Sequence, residues 1–326
     1  MKRRDLLAGL AGVPLVAGLG ATAAGQDAYP SRLVKILVPF GPGGSTDIIS
    51  RLIGKQLETM TGKAFVIENK PGATGMIGMD AVAKAAPDGY TMGILFLTHT
   101  VLPELFGKMP YDTARDLAPV ANVAWLYNVL VVPVSSSVKS LQDLIERAKA
   151  RPGQLTYASG GVGSPAHLLG ETFSQTAQIK MLHVPFKGPA EAVQGLLGGQ
   201  VDAMFATTSV AVPMARGDKV HALAVTSPNR LAALPAVPTV AEAGVTGFEI
   251  REWEGVGGPA GVPAPIIERW NTALGQIMAQ PEVKARLNEL GMTPANPNTS
   301  AEFGHLIKNE LGYWTKLVRT AGIRAQ

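Results

Sequence analysis

The amino-acid sequence predicts an α/β protein whose two series of elements are compatible with two lobes joined by crossing strands. Apolar runs of strand length alternate with stretches of helical spacing, the pattern of parallel sheets with helices on their faces. The alternation comes as two series, the second starting near Asn128. A C-terminal part with helical spacing follows them.

In the first series Leu33–Val38 reads as a buried strand, Ile48–Met60 as a helix and Ala64–Ile67 as a strand. Met76–Ala86 then reads as a helix and Thr91–Leu97 as a strand, a βαβαβ order. The apolar run Val123–Val134, interrupted by Asn128, is taken as buried strand. In the second series strands are expected at Val129–Val132, Leu155–Ala158, Ile179–Val184, Ala203–Phe205 and Ala222–Val225. Helices are expected at Leu141–Ala150, Ala166–Thr176 and Ala190–Leu197. After a Pro- and Gly-rich stretch, Phe248–Glu252 reads as strand, and Pro265–Met278, Pro281–Leu290 and Ser300–Thr320 as helices. Periodicity does not fix the crossovers. They are placed near Ala124–Asn128 and Phe248–Glu252, so that residues 26–126 and 249–326 form lobe 1 and residues 127–248 form lobe 2.

Of the 326 residues, 46% are apolar and 17% charged, enough material for buried cores. Residues 1–25 read as an export signal. Lys2-Arg3-Arg4 is a basic start, Leu6–Leu19 a short apolar stretch and Ala21-Thr22-Ala23 a cleavage site, which points to a periplasmic protein cut near Ala23. Arg3-Arg4-Asp5-Leu6-Leu7 also fits a twin-arginine signal. Lys2, Arg3 and Arg4 against Asp5 supply half of the formal net charge of +4, so the remainder is too near neutral to argue for nucleic acid. The chain has no cysteine, which excludes disulfides and thiolate metal sites.

Two loops share one construction: Phe40-Gly41-Pro42-Gly43-Gly44-Ser45-Thr46-Asp47 and Ser159-Gly160-Gly161-Val162-Gly163-Ser164-Pro165-Ala166-His167, each between a strand and a helix. Glycines let a ligand approach the backbone, and a helix N-terminus offers unpaired N–H groups. One such loop per lobe, aimed at a shared cleft, would hold an anion from both sides. The plain alternative is two glycine turns with Ser or Asp N-caps. Further candidates are Thr98 with His99 beyond the third strand, Lys187 at a strand-to-helix turn, and Asp202 at the start of a strand. Asp202 either accepts from a ligand or caps its turn.

Gly161-x-Gly163-x-x-Ala166 approaches a dinucleotide fingerprint, but no acidic residue ends the next strand; the first loop has Thr46 where that fingerprint wants a small residue. Neither loop ends in the Gly-Lys-Ser/Thr of a P-loop. No G-x-S-x-G surrounds Ser164, and Ser164 with His167 is not a complete nucleophilic set, although an exported hydrolase using Ser164 is the competing reading. His99, His167, His183, His221 and His305 have no zinc spacing, and no cofactor is expected.

The motifs in their order resemble the solute receptors of tripartite tricarboxylate transporters, the Bug-type periplasmic binding proteins. The resemblance rests on Val38–Asp47, Glu68-Asn69-Lys70-Pro71-Gly72-Ala73, Pro87-Asp88-Gly89-Tyr90-Thr91, Tyr157–Ser164 with His167-Leu168, and His183–Gly188. Gly198–Phe205, Leu234–Thr239 and Trp253 followed by Pro259–Pro263 extend it over the whole mature chain. It implies a type II, Venus-flytrap periplasmic binding fold with two crossing strands as hinge, and no enzymatic activity. It also implies that Phe40, Gly43, Gly44, Ser45 and Asp47 meet a ligand carboxylate with Ser159, Gly163 and Ser164, near Lys187 and Asp202. The implied partners are a large and a small membrane subunit, or a sensor kinase, with the receptor itself a monomer. Two departures stand out: Phe186 replaces a usual Tyr, and Glu254 with its neighbouring glycines replaces bulkier apolar residues. The negative charge disfavours a polyanion, which leaves a mono- or dicarboxylate, an acidic amino acid or an aromatic acid.

Overall fold

The computed structural model describes residues 29–248 and 250–321, so residues 1–25, read from the sequence as an export signal, lie outside the described residues. The first sheet contains β1 (Val34–Val38), β2 (Phe65–Asn69), β3 (Thr91–Phe96), β4 (Leu117–Leu126), β10 (Glu252–Pro259) and β11 (Thr293–Pro294). Their order is β11-β4-β10-β3-β1-β2. β1, β2 and β3 run parallel, as the βαβαβ pattern predicts, while β10 lies antiparallel to both β3 and β4. The second sheet contains β5 (Asn128–Pro133), β6 (Thr156–Ser159), β7 (Leu182–Pro185), β8 (Ala203–Thr207) and β9 (Val220–Val225), ordered β7-β6-β8-β5-β9. Here only β6, β7 and β8 are parallel; β5 is antiparallel to β8 and β9.

Strand alternation sorts the core into layers. Val34, Ile36 and Val38 of β1 face Ile49, Ile53 and Leu57 of α1 (Ser45–Thr61) and Trp270, Leu274 and Ile277 of α8 (Ala264–Ala279). Leu37, one residue out of phase, joins the opposite cluster with Met79 and Val82 of α2 (Met76–Ala83) and Val101 of α3 (Thr98–Phe106). The same cluster takes in Phe303, Ile307 and Trp314 of α10 (Ser300–Ala321). It continues into the second sheet through Leu168, Leu169 and Phe173 of α5 (Pro165–Thr176), beside α4 (Leu141–Ala150). The other face of that sheet is covered by α6 (Pro189–Leu197) and α7 (Thr208–Arg216). α9 (Pro281–Glu289) completes the helices of the first sheet.

The structure departs from the sequence expectations chiefly around the crossings. The run Val123–Val134 is two strands, β4 and β5, belonging to different sheets and separated by Tyr127 alone. The return strand does not occupy Phe248–Glu252 but begins at Glu252 and continues to Pro259. Phe248 and Ile250 owe their apolar character to the core, where they are buried without pairing in a sheet. The glycines of β10 hid it from a propensity reading. They are there because neighbours fill their side-chain space: a Cβ on Gly255 would lie 2.3 Å from Phe303 and 2.6 Å from the Ala121 carbonyl oxygen, and one on Gly257 2.3 Å from Leu95. Gly255→Ala is therefore expected to lower unfolding free energy by about 1–3 kcal/mol, read from the urea midpoint. An unchanged midpoint would show that Phe303 yields freely.

Candidate ligand cleft

A cleft of about 520 Å³ lies between the two sheets, at the carboxyl ends of β1, β3, β6, β7 and β8. That is where α/β sheets hold ligands, because the following helices begin there with unpaired N–H groups. Phe40, Gly43, Gly44 and Ser45 line it from the loop before α1, and Gly160 and Ser164 from the loop before α5. Lys187, at the end of β7, reaches it from the side. The two glycine loops thus face one space from opposite lobes, each at a helix start. Neither Gly44 nor Ser164, at the N-cap positions, makes a side-chain cap. Ser164 is 3% exposed, and its Oγ has no hydrogen-bond partner.

Other predicted residues shape the loops instead of lining the cleft. Asp47 accepts from the Gly43 N–H (3.0 Å), from Arg51 and from Asn69 Nδ2 (3.0 Å). Burial pushes its carboxyl up, but the bonds from Arg51, Gly43 and Asn69 together hold it below the usual range. Asn69 also donates to the Phe40 carbonyl at 2.9 Å, so the first loop is braced from behind. Ser159 accepts from the Gly161 N–H (3.1 Å) and shares a 2.6 Å hydrogen bond with His183 Nε2. Under that loop the rings of Tyr157, His183 and His167 stack, with centroids 5.0 and 4.0 Å apart. Gly163, at φ 80°, lies against α3: a Cβ there would come within 2.8 Å of Leu105 and 3.1 Å of Leu102. The Val162 carbonyl accepts from Thr74 Oγ1 at 3.1 Å. The second loop therefore packs across the cleft on the first lobe.

Two expectations need correction. Asp202 precedes β8 and so sits at its amino end, away from the cleft; its carboxylate accepts from the Thr156 N–H (2.8 Å) and hydroxyl (2.7 Å), bracing the start of β6. Thr98 opens α3 fully buried, and His99 beside it accepts from the Phe96 N–H at 3.2 Å, so this turn belongs to the core. The Phe186 ring is likewise spoken for, since it fills the space over Gly195 of α6. His167 does not pair with Ser164: its Nδ1 accepts from the Gly163 N–H at 3.1 Å, its ring stacks on His183, and Ser164 Oγ has no hydrogen-bond partner.

Sequence reading noticed Glu254 as a charge but did not place Glu252 or the floor that the two form. Glu252 and Glu254, on one face of β10, both line the cleft at 6% and 4% exposure. Ser45 Oγ donates to Glu254 Oε1 at 2.5 Å, and Asn128 Nδ2 donates to Glu252 Oε1. Glu254 Oε2 and Asn128 Oδ1 have no hydrogen-bond partner. Among the described residues no Lys or Arg forms an ion pair with either glutamate. Arg251, just before the strand, lies over Trp125 at 3.9 Å. Burial pushes Glu252 up to about 7 and Glu254, beside it, up to about 8. The apolar sides of the cleft come from Phe40, Phe96, Pro189, Val193, Met204 and Val210.

The chain is similar to known proteins over nearly its whole length. The profile of the tripartite tricarboxylate transporter family receptor matches residues 49–323. Protein BugT of Bordetella pertussis is 36% identical over 315 residues, covering 94% of each chain. Among solved structures, R. palustris Rpa4515 with adipate has a TM-score of 0.87 at 35% identity, covering 91% of this chain and 99% of its own. MatC of Rhodopseudomonas palustris with bound malate has a TM-score of 0.83 at 32% identity, covering 89% and 100%. The chain belongs to the tripartite tricarboxylate transporter receptor family. Its fold is the two-lobed periplasmic-binding type.

The floor gives this receptor a definite pH dependence. Glu252 and Glu254 bind protons more tightly folded than unfolded, so their stabilisation is full below about 4.5 and is lost as pH rises through 7 and 8. Burial lowers His99 and His183 to about 3 and His167 to about 4, so these act oppositely, costing stability as pH falls below 6.5. The melting temperature of the unliganded receptor should therefore fall between about pH 6.5 and 8.5, and Glu254→Gln should flatten that fall. A flat wild-type profile across this window would mean the two carboxyls are not buried as described.

Proposed function

We propose that this receptor is exported to the periplasm and captures a small carboxylate in the cleft, for delivery to the large and small membrane subunits of a tripartite transporter. The observation that carries the reading is the convergence of two uncapped helix starts, α1 and α5, on one cleft, with Ser164 Oγ unpartnered between them. Each helix start favours an anion by roughly 0.3–1 kcal/mol, more where partly buried, and its N–H groups are aimed before the ligand arrives. Adipate in one relative and malate in another support a carboxylate here. The basic, apolar start of the sequence supports export. Capture proceeds by closure: the carboxylate docks on one helix start, and rotation at Tyr127 and just before Glu252 brings the other loop onto it.

Closure gives Gly163 its role. A Cβ on Gly163 would press on Leu102 and Leu105 of α3, so Gly163→Ala should weaken binding by about tenfold or more through blocked closure, and its left-handed φ of 80° should also lower the unliganded melting temperature by a few degrees. Ser164→Ala removes a donor to the anion and should cost about tenfold in Kd. Both are read by calorimetric titration of refolded, ligand-free protein with the acid that most raises its melting temperature among small mono- and dicarboxylates. Unchanged affinity in Ser164→Ala would remove the second loop from the site, and hydrolysis of an ester or amide lost in the same variant would replace capture by catalysis.

A further inference from the structure

The cleft has two chemically opposite walls. The loop ends offer donors: the N–H groups that open α1 and α5, and the Ser164 hydroxyl. The floor offers acceptors: Glu254 Oε2 and Asn128 Oδ1 are buried without partners, and the carboxyl of Glu252 lies beside them. Lys187 and Glu191 also line the cleft, but both are exposed at its mouth, and the Glu191 carboxylate accepts from the Lys187 N–H at 3.0 Å. Nothing cationic from the described residues pairs with the two glutamates.

We infer that the cleft takes an α-amino acid with an apolar or aromatic side chain, its carboxylate on the helix starts and its α-ammonium on Glu254. This rests on the carboxylate-capture reading and narrows it. An ammonium has three donors, no acceptor and a positive charge, which is what a floor of unpaired acceptors lacks. The two poles lie close together: Ser45 opens α1 and is itself bonded to Glu254. A ligand whose anion and cation are separated by one carbon fits that spacing, whereas a long dicarboxylate would set its second anion against apolar walls or the glutamates. The ligand's side chain then lies among Phe40, Phe96, Val193, Met204 and Val210.

The test is calorimetric titration of the refolded mature receptor with L-phenylalanine, L-leucine, their ammonium-free analogues hydrocinnamate and isocaproate, and adipate and malate. Phenylalanine or leucine should bind at least about tenfold more tightly than the analogue lacking the ammonium. Glu254→Gln keeps the shape and an acceptor for Ser45 but removes the charge; it should weaken the amino acid about tenfold and, by removing a like charge, bind the ammonium-free acid more tightly. Glu252→Gln should act in the same direction and stands in if Glu254→Gln does not fold. Hydrocinnamate, adipate or malate binding as tightly as the amino acids would overturn the inference and leave carboxylate capture standing. No binding by any of these acids would also overturn the inference, whereas carboxylate capture falls only if no acid of the wider melting screen binds.

Discussion

The hydrogen bond from Ser45 to Glu254 joins the start of α1 to the strand that brings the chain back into the first sheet. It ties together the anion-facing end of one helix, the floor of the cleft and the hinge. A carboxyl buried without a cation costs several kcal/mol if it stays ionised, so the site holds it neutral or leaves it to be neutralised by a ligand. Either way the floor cannot be treated as passive packing. β10 runs between β3 and β4 with Glu254 opposite Phe96 and Glu252 opposite Leu126, which fixes both carboxyls relative to the strand ends that open the cleft.

The rest of the site is arranged around that fixed floor. On the first lobe Asp47 and Asn69 hold the loop from behind, leaving its glycines bare toward the cleft. On the second lobe the stacked rings of Tyr157, His183 and His167 support the loop through Ser159 and the Gly163 N–H. Between the lobes, Gly163 against α3 and Thr74 on the Val162 carbonyl place the second loop in contact with the first lobe. In the capture proposed above, ligand contact at Ser164 and lobe contact at Gly163 fall to neighbouring residues of one loop, which couples binding to closure.

Much of this was legible in the sequence, and the parts that were not have physical reasons. The parallel halves of both sheets followed from apolar runs alternating with helical spacing, and α4 falls at Leu141–Ala150 as its pattern predicts. The two glycine loops were visible because Gly-rich turns between strand and helix are rare enough to notice. β10 was not, since four of its eight positions are Gly or Pro and its burial comes from neighbours in β3, β4 and α10. Asp202 misled because a carboxylate at a turn looks the same at either end of a strand; only the sheet tells which end faces the cleft. Glu254 was noticed as a charge, but its bond to Ser45, more than two hundred positions away in the chain, has no local signal.

Selectivity in such a receptor has to come from the floor and sides, not from the helix starts. N–H groups at a helix N-terminus recognise any carboxylate, and they discriminate little between acids that share one. What differs between ligands is the remainder of the molecule, and the cleft lining available to it consists of apolar side chains and two acceptor-bearing residues of the crossing strands, Asn128 and Glu254. Unpaired buried acceptors reject a ligand that brings no donor more strongly than apolar walls reject a poor shape, because the desolvation cost goes unreturned. In the proposed capture, acceptors placed on the crossing strands would couple choice of ligand to lobe closure. A ligand that satisfies them therefore stabilises the closed arrangement from its centre outward.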